Sequence, residues 1–174
     1  MTKRARIRLG LACTLIAALG VIIWSLPPRP AVLDCAAEPA ASLLVDTSLH
    51  TLALCEHGQP VEAFGVRLGK QGTGKTREGD EKTPLGRYAL SAPSHSDRVG
   101  RFALVGYPTS EQRARGLTGS AIGVHGPHRK AMWLGRWVNS FDTTDGCIGV
   151  STDAEMTRIA DFITKHGAHV IVIR

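Results

Sequence analysis

Hydrophobic positions fall into three regimes along the 174-residue chain. Leu9 to Leu26 is an uncharged, largely apolar run of 18 residues, closed by Pro27 and Pro28. From residue 42 the apolar positions come instead in short β-like runs separated by turn residues: Ser42–Asp46, Thr51–Glu56, Val61–Leu68, Gly86–Ala92, Arg101–Gly106 and Ala121–Val124. Near the end the period changes again. Met156, Ile159, Ala160 and Ile163 recur at helical spacing behind Thr152-Asp153-Ala154-Glu155, which matches a capping box, and Gly167 offers a C-terminal stop. Ala168–Ile173 reads as a last buried strand. The pattern predicts one mainly β domain over residues 42–174, with a helix near its C-terminus and no internal repeat.

Charge gives the first regime a direction. Lys3, Arg4, Arg6 and Arg8 make residues 1–8 a basic cytoplasmic n-region, and residues 9–26 read as a transmembrane signal anchor, near the lower end of the roughly 17–25 residues that span a bilayer. A cleaved signal peptide is the rival, but no convincing small-x-small site follows the Pro-Pro pair. Asp34 before Cys35 argues against a lipoprotein cleavage site. Residues 27–41, rich in Pro and Ala, read as an extended linker. Residues 42–174 would face the periplasm or the exterior. The chain carries a formal +6, about half of it before residue 42; the remainder, with sixteen basic and thirteen acidic residues, is compatible with an anionic partner and too weakly basic to argue for nucleic acid.

Candidate chemistry concentrates between Ile122 and Ser151. His125-Gly126 is followed by Thr144-Asp145-Gly146-Cys147-Ile148. A cysteine attacks as its thiolate, and a nearby imidazole can take the proton. Gly146 leaves the backbone uncrowded, so that N–H groups around Gly146 and Cys147 can point at a developing oxyanion, and Thr144 can tie the turn through its hydroxyl. The alternative from residue types alone is a small buried hydrophobe at Cys147 and a satisfied core histidine at His125.

These residues resemble the active-site signature of the L,D-transpeptidase (YkuD-type) family, which remodels the peptide stems of bacterial peptidoglycan. Gly79-Asp80-Glu81-Lys82-Thr83-Pro84-Leu85-Gly86-Arg87-Tyr88 is similar to a second segment that precedes the active site in that family, and the two motifs occur in the family's order. The resemblance implies a β-sandwich-like catalytic domain with Cys147 as nucleophile, His125 as general base, the Gly126 carbonyl orienting the imidazole and Gly146 in the oxyanion region. It implies a cysteine thioester on a tetrapeptide stem, resolved by an amine from a second stem or a lipoprotein lysine. Water would make the enzyme a hydrolase, and a non-catalytic peptidoglycan-binding envelope module is the reading from a different class. The chain would then act in the cell envelope, anchored to the inner membrane with its domain in the periplasm, or released there if cleaved. Three departures mark a divergent Thr-Asp-Gly-Cys-Ile branch: Asp145 replaces a frequent histidine, Gly149 replaces a frequent arginine and removes a cationic anchor, and the 18-residue spacer between His125 and Thr144 is longer than usual.

Other features complete the expectations. Thr144, Asp145, Arg129 and Trp133 are candidate substrate contacts. His128, Arg129, Lys130, Met132, Trp133, Arg136, Trp137 and Phe141 form either a lid over an acidic peptide or an aromatic face packed on the core with its cations outside. With Cys13 in the apolar run and Cys147 as nucleophile, Cys35 and Cys55 are left to pair as a disulfide, the alternative being two free thiols. Gly69–Thr76 satisfies G-x-x-x-x-G-K-[ST], but Gly79 and Pro84 deny it the helix that a phosphate loop needs, so it reads as a glycine-rich loop. His125-Gly-Pro-His128 lacks regular helical spacing, which argues against zinc, and no cofactor is expected. Residues 106–119 read as a loop whose Arg113 and Arg115 form a solvated basic face, the alternative being contact with substrate carboxylates.

Overall fold

The computed structural model describes residues 29–174; the n-region and the apolar run read as an anchor lie outside them. Alternation sets the first hairpin. β1 (Ser42–Asp46) and β2 (Thr51–Glu56) pair antiparallel from Ser42↔Cys55 to Asp46↔Thr51, with the bounds that the apolar pattern predicts. Leu43, Val45, Leu52 and Leu54 enter the main core, whereas Leu44, Ala53 and Cys55 belong to a second cluster.

β3 (Gln59–Arg67), β4 (Gly86–Ala89), β5 (Ser94–Ser96), β6 (Gly100–Leu104), β7 (Gly123–His125), β8 (Ile148–Val150) and β9 (Val170–Ile173) complete a nine-stranded sheet in the order β4-β9-β1-β2-β3-β8-β7-β6-β5. The sheet is curled, and β3 joins its two halves by pairing with β2 on one side and β8 on the other. β1 and β9 run parallel, as do β7 and β8; the other pairs are antiparallel.

The C-terminal helix, Asp153–His166, packs against β6 and β8. Its capping box is formed: the Glu155 N–H donates to the Thr152 hydroxyl at 3.1 Å and the Thr152 N–H to the Glu155 carboxylate at 3.1 Å. Gly167 ends it in the left-handed conformation. Met156, Ile159 and Ile163 are buried in the main core, and each such side chain contributes about 1.5–3 kcal/mol.

Two expectations change. Residues 106–119 contain a short helix, α1 (Ser110–Ala114), capped by Thr109 and Gln112, so the C-terminal helix is α2. The described part of the stretch read as a linker, residues 29–41, forms no strand, yet it lies on the sheet. Leu33 and Cys35 are buried against Leu44, Ala53 and Cys55, and Cys35 is disulfide-bonded to Cys55. Glu38 takes a two-pronged ion pair from Arg87 at 2.8 and 2.9 Å, which ties this stretch to β4.

Candidate active site

Parallel pairing of β7 with β8 brings the two halves of the signature together. Val124 lies opposite Ile148 and His125 opposite Gly149, so the end of β7 and the entry to β8 carry His125 and Cys147 to one cavity of about 540 Å³. The His125 Nδ1–H donates to the Gly126 carbonyl at 2.6 Å. A carbonyl can only accept, so the proton resides on Nδ1 and Nε2 keeps its lone pair; no hydrogen bond engages Nε2 among the described residues. The Cys147 thiol donates to the Ala121 carbonyl at 3.5 Å rather than to the imidazole.

Burial favours the neutral form of both groups. It pushes the Cys147 thiol up, aided by the Asp145 charge, while the Gly123 N–H, Lys75 and Arg67 oppose the rise. Burial pulls His125 down; Arg67 and His128 act in the same direction and the Gly126 bond opposes them.

The turn before the cysteine is locked by Thr144, whose hydroxyl accepts from the Gly146 N–H at 3.1 Å and donates to the Cys147 carbonyl at 2.7 Å. This corrects the oxyanion expectation at Gly146, because its N–H is already engaged. The glycine is required for another reason. It has φ 120°, and a Cβ there would approach the Lys82 carbonyl oxygen to 2.5 Å. The two sequence motifs therefore pack directly on one another.

The second motif is a scaffold beside the cavity. Asp80 accepts from the N–H groups of Thr76, Arg77 and Lys82 and from the Lys75 ammonium at 2.7 Å; these bonds outweigh burial and hold its carboxyl far below the usual carboxylate range. Thr83, fully buried, accepts from the Gly69 N–H at 2.9 Å. The glycine-rich stretch 69–76 is thus a loop of turns and isolated bridges, and its lysine is engaged by Asp80.

Thr144 and Asp145 line the cavity; Arg129 and Trp133 do not. Arg129 pairs with Asp153 at 2.5 Å, at the start of α2, and Trp133 is 82% exposed. Both belong to a 3₁₀ segment, Arg129–Ser140, kinked at Gly135. Its large apolar side chains pack neither over the cavity nor into the core: Met132, Trp133 and Trp137 point to solvent, as does Phe141 just beyond it. The cavity wall takes Ala131 and Val138 from this segment, with His128 just before it. The Asp145 carboxylate is exposed and pairs with Lys70 at 2.6 Å. Among the described residues no group of three His, Cys, Asp or Glu side chains is placed to hold a metal ion.

Sequence reasoning missed Arg67. It ends β3 directly opposite Gly149, is 3% exposed and lines the cavity. A Cβ on Gly149 would fall 2.5 Å from its Cζ. The expectation that Gly149 leaves this place without a cation is therefore corrected: the guanidinium comes from the neighbouring strand. Its signal in the sequence was a charged residue set between Val66 and Leu68, in an otherwise apolar strand end.

Comparison with known proteins agrees with this fold. The family model for the YkuD L,D-transpeptidase catalytic domain matches residues 40–172. Among solved structures, the helical cell shape determining protein Pgp2 from Campylobacter jejuni is similar at TM-score 0.65 and 22% identity, over 78% of this chain and 47% of that one. Bd1075 from Bdellovibrio bacteriovorus gives 0.56 and 24%, over 86% and 53%. An L,D-transpeptidase from Mycobacterium smegmatis gives 0.52 and 12%, over 77% and 58%. The chain spans about half the length of these proteins, and no curated protein matches it.

Proposed function

Since the chain belongs to the YkuD family of L,D-transpeptidase catalytic domains, we propose that it acts on peptidoglycan tetrapeptide stems through a Cys147 thioester. The observation that carries this reading is the His125 tautomer: with its proton held on Nδ1 by Gly126, the imidazole has a free basic Nε2 in the cavity it shares with Cys147.

Cys147 sulfur attacks the amide carbonyl between the third and fourth stem residues while its proton passes to His125 Nε2. The Gly123 N–H, which already favours the Cys147 thiolate, is the backbone donor that this reading assigns to the oxyanion. Collapse breaks the C–N bond, and the imidazolium returns the proton to the departing amine of the fourth residue. An acceptor amine then attacks the thioester, gives its proton to His125 and expels the thiolate. Water in place of the amine gives a hydrolase. Arg67, Arg98 and His128 beside the cavity, against the single carboxylate of Asp145, suit a peptide that bears carboxylates. On the same reading the apolar run 9–26 anchors the protein in the inner membrane, with the domain in the periplasm.

The test is incubation of the 174-residue chain with purified disaccharide tetrapeptide, wild type beside Cys147→Ala, with products separated by chromatography. Cross-linked dimers from the wild type alone are the expected result, with turnover reduced by several orders of magnitude, roughly 10³-fold or more, in the variant. Shortened stems would assign the hydrolase. Unchanged substrate with both proteins, while both still bind cell wall, would assign the binding module.

A further inference from the structure

Arg67 is a buried cation with no acidic partner among the described residues. Its Nη1 donates to the Val150 carbonyl at 2.9 Å and to Asn139 Oδ1 at 3.1 Å, and its Nη2 to the Gly126 carbonyl at 3.4 Å. All three acceptors are neutral, and no carboxylate lies within ion-pair distance among the described residues. A guanidinium taken out of water costs several kcal/mol unless a counter-charge meets it. Of the other charges around the cysteine, Arg98 is exposed to solvent and two are already balanced. Lys75 is paired with Asp80, and Asp145 is exposed and paired with Lys70. The unbalanced positive charge therefore lies where the proposed reaction generates negative charge.

We infer that Arg67 is a positioning residue of this site: it holds the Gly126 carbonyl that orients His125, and it furnishes the counter-charge for the Cys147 thiolate and for the oxyanion formed on attack. The inference rests on the thioester reading for the oxyanion, but not for the thiolate, which can be generated by raising the pH with no substrate present. The shared carbonyl is the link, since Gly126 oxygen accepts from both Arg67 and His125. Asp145 on the cysteine turn opposes thiolate formation; Lys75 and Arg67 favour it. Arg67 and His128 both disfavour imidazolium at His125.

The register supplies a test that a purely structural role would fail. Arg67 and Gly149 are direct partners across β3 and β8, and a side chain at 149 would begin where the guanidinium now lies. The cation can therefore be removed with Arg67→Met and returned from the other strand with Arg67→Ala/Gly149→Arg. Iodoacetamide alkylation is followed against pH on the Cys147 peptide by mass spectrometry, with thermal melting alongside. Expected for Arg67→Met is a rate at pH 7 about 10-fold lower and a midpoint about one unit higher, both largely restored in the double variant. Turnover in Arg67→Met would fall about 10²-fold in kcat with little change in KM.

A folded Arg67→Met protein with the wild-type profile overturns the inference. If Arg67→Met does not fold, the double variant decides, a wild-type profile supporting the role and a raised one removing it. Alkylation needs no peptide. A shifted profile with no turnover even in the wild type would sink the transpeptidase reading and leave Arg67 in place, and turnover with an unshifted profile would do the reverse.

Discussion

At the scale of single residues, burial and one hydrogen bond set how the pair can work. Cys147 is pushed above the ordinary thiol range and His125 below the ordinary imidazole value of 6.5, so both are neutral at pH 7, and on the proposed thioester route the proton moves when substrate arrives. Only the unprotonated imidazole can accept that proton. A lowered value keeps it available further into acid, so the acid limb of kcat/KM is expected to have its midpoint below 6.5, as a pH–rate profile would read. Asp80 offers a second prediction. Asp80→Asn leaves the Lys75 ammonium, 3% exposed, without its counter-charge, and urea unfolding at pH 7 should report a loss of about 3–5 kcal/mol. Its folded value is depressed, so the stabilisation is fully present above the unfolded value of 3.8 and is lost as pH falls towards the folded one. A protein whose stability between pH 7 and pH 3 is the same with and without the substitution would refute this.

At the scale of elements, legibility tracks the strength of local signals. β1 and β2 could be read because their apolar runs are bounded by turn residues, and α2 because helical spacing coincides with a capping box and a terminal glycine. Thr152→Ala should lower stability by about 1 kcal/mol, measured by thermal melting, because it removes the acceptor of the Glu155 N–H. β5 escaped notice because Ser94-His95-Ser96 is short and polar, and β8 because the three residues that follow Cys147 carry no period. The 3₁₀ segment was misleading for a physical reason. Its aromatic residues suggest a lid or a core face, but ion pairs from Arg129 to Asp153 and from Arg136 to Glu155 fix it against the start of α2, with those rings outward. At the site, His125 and Cys147 were legible as a pair of motifs. Arg67 was not, because only strand register brings it opposite Gly149, 82 positions along the chain.

At the scale of the whole molecule, the second core cluster and the disulfide attach residues 31–38 to the sheet. Reducing the Cys35–Cys55 bond, which closes a separation of 20 residues, should lower stability by about 3 kcal/mol, seen as a melting shift on adding dithiothreitol. An unchanged melting temperature after verified reduction would refute that contribution. The position of β9 reaches further. β9 lies between β1 and β4, parallel to one and antiparallel to the other, so neither neighbour has its full set of backbone partners without residues 170–173. Deleting residues 170–174 should therefore abolish the cooperative melt altogether. Until that strand has emerged, the chain carries both His125 and Cys147 but cannot close its sheet around them. Closure of this sheet therefore waits on its most sequence-distant pairing, Leu43–Val45 of β1 with Ile171–Ile173 of β9.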